Sequence, residues 1–171
     1  NRLGKIALML CLYVDTPRNW IVELLVVLLQ KRNGIGVGDA LERVAGDIVA
    51  SPVYKDGLIY VPGDDGKLSC FRSNGDRTFT FRTNGPIRTS PKVGDGIMIF
   101  GSYDNSVYCV NMFNGAKIWE NRIGRPLESE PDIIGKYVYV KPHGKGITAI
   151  SKVTGKTVWQ IPDTDTIVGF G

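Results

Sequence analysis

The stretch from Ser90 to Trp119 decides the fold, and it reads SPKVGDGIMIFGSYDNSVYCVNMFNGAKIW. Two apolar runs, residues 97–100 and 107–110, stand between turn residues. Asp95-Gly96, before the first run, is a strong hairpin signal, because glycine tolerates the positive φ that tight turns require. Asn114-Gly115 gives a similar signal after the second run. The stretch therefore predicts short antiparallel strands joined by tight turns.

The rest of the chain repeats this unit about every 40 residues. The pairs Ser51-Pro52, Ser90-Pro91 and Glu130-Pro131 are spaced by 39 and 40 residues. Four short strands in a unit of this length are typical of one blade of a β-propeller. We therefore predict an all-β fold, a β-propeller of about four four-stranded antiparallel blades. These blades are expected either to close as a small ring or to belong to a larger propeller.

The whole chain, residues 1–171, is expected to form a single propeller domain or a propeller fragment. The predicted blades span about residues 1–45, 46–85, 86–125 and 126–165, and residues 166–171 correspond to the first strand of a further blade or to a ring-closing strand. The first unit matches poorly. By register its residues 20–24 correspond to a third strand, which we favour, whereas the apolar pattern of residues 20–32 also fits a helix. Residues 38–44 form an insertion relative to the other units.

Composition places the chain among ordinary globular proteins and disfavours several functions. Of its 171 residues, 43% are hydrophobic and 22% are charged. The net charge is +4, yet the basic residues are dispersed along the sequence, which argues against nucleic acid as a partner. The apolar run at residues 24–29 is much shorter than the roughly 20 residues of a membrane-spanning helix, so no membrane span is expected.

The third and fourth strands of the repeat resemble those of pyrroloquinoline-quinone-like repeat propellers. The stretch from Ala149 to Trp159 reads AISKVTGKTVW, and it follows the docking motif Ala-x-Asp-x-x-Thr-Gly-Lys-x-x-Trp of that family except at Ser151. The likeness covers about residues 46–165. It implies that the aromatic and glycine residues of the motif dock each blade against the next. These residues are Phe79, Trp119, Trp159, Gly75, Gly115 and Gly155.

Few residues could carry catalysis or hold a metal. His143 is the only histidine, and the three cysteines are too dispersed for a zinc site. Cys70 and Cys109 take the alanine position of the motif in successive blades, where we expect core packing rather than a disulfide. No catalytic or metal-binding residue is predicted, and the cofactor-binding residues are unknown.

The candidate interaction residues are those that break the repeat. Arg88 and Glu128 are equivalent by register, and we place them on the innermost strands, which line the central channel of a propeller. There we expect them to face each other or the solvent, and either to form a structural ion pair or to contact a ligand. His143, on a predicted turn, and the insertion at residues 38–44 are the other candidates.

Two functions fit these features. The first is a non-catalytic propeller that binds no cofactor and acts as a protein-interaction scaffold or ligand sensor through its variable turns. The alternative is a fragment of an alcohol or sugar dehydrogenase that depends on pyrroloquinoline quinone and calcium. The absence of a catalytic constellation from the sequence favours a protein that is not an enzyme.

The expected partners are another protein or further propeller blades, with self-association into a homo-oligomer as a further expectation. The resemblance favours a place outside the cytoplasm, in the periplasm or cell envelope. Free cysteines leave the compartment open.

Overall fold

The structure, a computed structural model, describes residues 50–72 and 76–162. These residues form three four-stranded sheets. The first sheet contains β1 (Val53–Lys55), β2 (Leu58–Pro62), β3 (Lys67–Arg72) and β4 (Arg77–Arg82). The second contains β5 (Lys92–Gly94), β6 (Ile97–Gly101), β7 (Ser106–Asn111) and β8 (Lys117–Arg122). The third contains β9 (Asp132–Ile134), β10 (Tyr137–Val140), β11 (Thr148–Ser151) and β12 (Thr157–Gln160).

Each sheet is a meander in which neighbours in the chain are antiparallel neighbours in space. The predicted all-β propeller fold is confirmed for this part of the chain, which holds three blades. The three sheets, in chain order, are the first, second and third blades of the structure. The first predicted blade, the insertion at residues 38–44 and the segment 166–171 lie outside the described residues.

The tight turns follow the glycine signals of the sequence. Asp95 and Gly96 between β5 and β6 have φ of 53° and 76°, and Asp56 and Gly57 between β1 and β2 have φ of 50° and 79°. Positive φ at both central residues is the geometry of the type I′ hairpin turn, whose twist matches that of the strands.

The middle sheet is buried on both faces. Met98 and Phe100 of β6 pack into a core shared with the first sheet, whereas Ile99 between them packs into a core shared with the third. Tyr108 and Cys109 of β7 divide in the same way. Since successive side chains of a strand point to opposite faces, a strand between two cores must be apolar at every position. This explains why residues 97–100 form an unbroken apolar run.

The innermost strands begin later than the repeat register suggests. β5 starts at Lys92 and β9 at Asp132, each four residues after Arg88 and Glu128. The backbone before β5 bonds to turns instead, since the amide of Ile87 donates to the carbonyl of Gly63 at 3.1 Å. Arg88 and Glu128 therefore lie on the connections that lead into the innermost strands, rather than on these strands.

Aromatic rings lie over glycines where adjacent sheets meet. A Cβ atom added at Gly115 would lie 2.4 Å from the ring of Phe79, and one added at Gly155 would lie 2.5 Å from the ring of Trp119. The indole N–H of Trp119 also donates to the carbonyl of Lys152 at 2.9 Å. In both cases a ring on the fourth strand of one blade covers the glycine that precedes the fourth strand of the next.

For Trp159 and Gly75 of the motif, the residues that the structure describes include no such pair of ring and glycine. Trp159 is 39% exposed, against 7% for Trp119, and its ring lies 5.8 Å from that of Tyr139. Gly75 lies outside the described residues. The docking role of these two residues stays a prediction.

The cysteines behave as the repeat predicts where they can be followed. Cys70 and Cys109 are both free and fully buried, and they lie in different cores. Burial raises the pKa of each thiol to about 11. The expected core packing without a disulfide is confirmed for this pair.

The substitution Gly155→Ala should destabilise the fold more than Gly135→Ala. Both glycines have positive φ, +70° and +60°, so alanine carries a similar backbone cost at the two sites. At Gly155 the new methyl group would also meet the Trp119 ring, whereas nothing lies within 4 Å at Gly135. We expect Gly155→Ala to lower the free energy of unfolding by about 1–3 kcal/mol more, measured by urea denaturation. Equal losses in the two variants would contradict a holding role for the ring contact.

Candidate functional site

A network of exposed polar side chains crosses one end of the three sheets. At this end, the upper rim, lie the turns after β2, β6 and β10 and the starts of the connections between sheets. The strand register defines it, since Arg122 at the end of β8 pairs with Ser106 at the start of β7. The rim network consists of Asp64, Arg88, Tyr103, Glu128 and His143.

Arg88 joins the turn of the first blade to the turn of the second. Its Nε donates to Oδ1 of Asp64 at 2.6 Å, and its terminal nitrogen donates to Oδ2 at 3.3 Å. The guanidinium carbon lies 4.9 Å from the centre of the Tyr103 ring. A two-point bond to a carboxylate and a stacked aromatic face together hold the guanidinium plane in one orientation.

Glu128 makes the corresponding link between the second and third blades. Its Oε1 accepts a hydrogen bond from the hydroxyl of Tyr103 at 3.3 Å. Its Oε2 lies 2.8 Å from Nδ1 of His143, with which it pairs. The network is therefore continuous from the first blade to the third.

The arrangement follows the repeat although its chemistry does not. Asp64, Tyr103 and His143 hold one equivalent position in three successive turns, at intervals of 39 and 40 residues. Arg88 and Glu128 hold one equivalent position in two connections. Each connection residue bridges the turn of its own blade and that of the preceding blade, so a regular backbone carries an irregular row of charges.

The structure brings the three residues that the sequence singled out into one network. Arg88 and Glu128 do not bond to each other, because Tyr103 lies between them and contacts both. Asp64 and Tyr103 were missed by the sequence analysis. Their equivalence by register to His143 was the signal that could have found them.

The ion pairs shift the ionisation of the carboxylates. The hydrogen bond from Arg88 lowers the pKa of Asp64, and the hydrogen bond from His143 is the main cause that lowers the pKa of Glu128. The bond to Asp64 in turn raises the pKa of Arg88. Because these groups are exposed to solvent, their pairing adds little to stability. Its main effect is to fix the orientation of the side chains at the rim.

The family resemblance implies a quinone bound together with calcium, which would need several oxygen ligands close to one another. Residues 50–72 and 76–162 bring together no group of three or more His, Cys, Asp and Glu side chains that could hold a metal ion. Calcium prefers six to eight oxygen ligands, so these residues do not fit such a site.

No helix long and apolar enough to cross a membrane occurs among the residues that the structure describes.

Four-stranded meander sheets that pack through an aromatic ring of one blade and a glycine of the next define a β-propeller of the quinoprotein-like repeat class. The family model described as "Outer membrane protein assembly factor BamB" matches residues 23–162. The chain belongs to this family of pyrroloquinoline-quinone-like repeats.

Individual relatives agree with this assignment. The chain is 25% identical over 134 residues to the outer membrane protein assembly factor BamB of Yersinia pestis, an alignment that covers 68% of this chain and 34% of that protein. The chain thus spans about a third of the length of this curated relative.

Two solved structures are similar in fold. BamB from Moraxella catarrhalis has a TM-score of 0.60 at 16% identity, over 68% of this chain and 37% of that one. Quinohemoprotein alcohol dehydrogenase from Comamonas testosteroni also has a TM-score of 0.60, at 17% identity, over 70% of this chain and 21% of that one. At such identities the likeness shows the fold alone.

Replacing His143 with alanine should raise the pKa of Glu128 and leave the pKa of Asp64 low. The shift of Glu128 depends first on His143, whereas that of Asp64 depends on Arg88. The measurement is an NMR titration of the side-chain carboxyl carbons in the wild type and in His143→Ala.

The stability that the Glu128–His143 pair adds to the fold depends on pH in a defined direction. The folded pKa of Glu128 lies below its unfolded value of about 4.3, so the pair adds stability above that pH and loses it as the pH falls through the folded pKa. An unchanged pKa of Glu128 in the variant would contradict the assigned pairing.

Proposed function

We propose that this chain is part of a non-catalytic scaffold that binds other proteins during the assembly of outer membrane proteins. Membership of the BamB family supports the process. The observation that carries the proposal is the rim network, an exposed row of five side chains held by one another across three blades.

The rim is suited to binding because it is organised before a partner arrives. Side chains already held in one geometry lose less conformational entropy when they make contacts. Turns on a rigid sheet scaffold are the usual place for recognition residues. Along this rim an acidic, a basic, an aromatic, an acidic and a histidine side chain follow one another. A partner with complementary groups in the same order can bind it specifically.

We also propose that the protein acts outside the cytoplasm, as the name of the BamB relatives supports. The free cysteines are compatible with this location. Cys70 and Cys109 are buried and their thiol pKa is raised to about 11, so little reactive thiolate is present at neutral pH. Such thiols resist oxidation in an oxidising compartment.

Site-specific photo-crosslinking tests the scaffold function. A photoreactive amino acid would replace Tyr103 in the full chain, exported to the periplasm of a Gram-negative host, and the control would carry it at Phe113. Phe113 is 55% exposed and lies on the turn between β7 and β8, at the opposite end of the sheet. We expect adducts with unfolded outer membrane proteins or with subunits of their assembly machinery from position 103 only. Failure to form them, or equal adducts from both positions, would refute the proposed binding face.

The dehydrogenase alternative predicts a different result. Because the described carboxylates do not converge on a metal position, we expect no bound chromophore when pyrroloquinoline quinone and Ca²⁺ are added to the full chain. Spectroscopy after gel filtration and dye reduction by an alcohol measure this directly. If the protein retains the quinone and oxidises the alcohol, the dehydrogenase function is correct and the scaffold function is wrong.

A further inference from the structure

We propose that the upper rim between the second and third blades carries a cationic docking surface for an acidic peptide segment of a partner protein. The proposal rests on the proposed scaffold function and names the chemistry of the partner. The cationic surface consists of Arg122, Arg125, Lys141 and Lys145.

These four residues lie on, or directly before, two loops that contact each other. Arg122 ends β8, Arg125 lies on the connection that follows it, and the turn after β10 carries the two lysines. The amide of His143 donates to the carbonyl of Pro126 at 2.9 Å, and Nζ of Lys145 donates to the carbonyl of Ile123 at 3.0 Å. Leu127 and Pro142 form an isolated β-bridge between the same loops.

The cations of this surface form no ion pair with a carboxylate among the residues that the structure describes. Arg122, Arg125 and Lys141 are exposed, and the ion pairs among the described residues include none of them. Lys145 donates to a neutral backbone carbonyl. Glu128 and Glu130 follow in the connection, but Glu128 already pairs with His143. Within these two loops and Arg122, four cations and two carboxylates leave an excess of positive charge.

The repeat shows that the fold does not need this charge. The equivalent positions between the first and second blades are occupied by Arg82, Gly85, Gly101 and Asn105, so three of the four cations have neutral counterparts. The glycines there are required by packing. A Cβ atom at Gly85 would lie 2.6 Å from the backbone nitrogen of Asp104, and one at Gly101 would lie 2.2 Å from Leu127.

The same backbone role is thus filled at one junction by small neutral residues and at the next by long cations. A single charged residue at a surface position is explained by its contact with water. Three neutral positions of one repeat that are all Arg or Lys in the next, on two contacting loops, call for a further explanation. A partner that supplies carboxylates accounts for all three.

An acidic peptide fits this surface better than nucleic acid does. Proteins that bind single-stranded nucleic acid combine a basic groove with exposed aromatic faces on which bases stack. On this rim the face of Tyr103 is already covered by Arg88.

The test measures binding of a short fluorescent peptide rich in Asp and Glu to the full chain by fluorescence anisotropy. The variant Arg125→Glu/Lys141→Glu reverses two charges of the surface. The control Lys136→Glu/Lys156→Glu makes the same change in net charge with two exposed lysines at the opposite end of the third sheet. A peptide with Asn and Gln in place of the acids controls for binding without charge.

We expect the surface variant to weaken binding of the acidic peptide by about tenfold or more, and the control by less than about twofold. Binding to the wild type should weaken as salt is added, because exposed charges are screened. Equal weakening in both variants would overturn the proposal, since net charge and not this surface would then govern binding. Tighter binding of single-stranded DNA or of anionic phospholipid vesicles through the same residues would overturn the choice of partner.

Two further measurements keep the outcomes separate. Circular dichroism checks folding, and the milder variant Arg125→Gln/Lys141→Gln replaces the charge reversal if that variant does not fold. Adducts from position 103 that persist while the acidic peptide fails to bind would overturn the cationic surface and leave the scaffold function standing. If no adducts form from position 103 while the acidic peptide still binds, the scaffold function is overturned and the cationic surface stands.

Discussion

The contact between an aromatic ring and a glycine of the next blade is the constraint on which the rest of the structure depends. A four-stranded meander cannot bury two apolar faces by itself, so each blade is stable only when it is stacked against its neighbours. Trp119 over Gly155 and Phe79 over Gly115 bring the backbone of one blade onto the ring of another. No larger residue fits without displacing the ring.

This docking also determines the geometry of the upper rim. Because adjacent blades meet in the same way at both junctions, each connection passes between two turns at a constant place. Arg88 and Glu128 therefore reach partners on two blades, while the partners themselves differ from blade to blade. The docking contacts are what the blades share, and the proposed recognition depends on the positions at which the blades differ.

This fold does not by itself specify a function. Structures of similar fold include an outer membrane assembly factor and a quinohemoprotein alcohol dehydrogenase, so the propeller alone does not distinguish a scaffold from an enzyme. For this chain the proposed scaffold function rests on the side chains of the rim. Within the described residues they form pairs between single acids and single bases at the surface, and they do not gather ligands around a metal position.

The sequence by itself determined the period, the turns and the strands of the three blades, because these depend on local rules. Asp-Gly and Asn-Gly specify turns, and apolar runs between them specify buried strands. The same register singled out Arg88, Glu128 and His143 as departures from the repeat. Only the tertiary structure decided their partners. Asp64 lies 24 residues before Arg88, and His143 lies 15 residues after Glu128. Whether such residues touch depends on how one blade is rotated against the next, which the packing of rings onto glycines sets and no local pattern encodes.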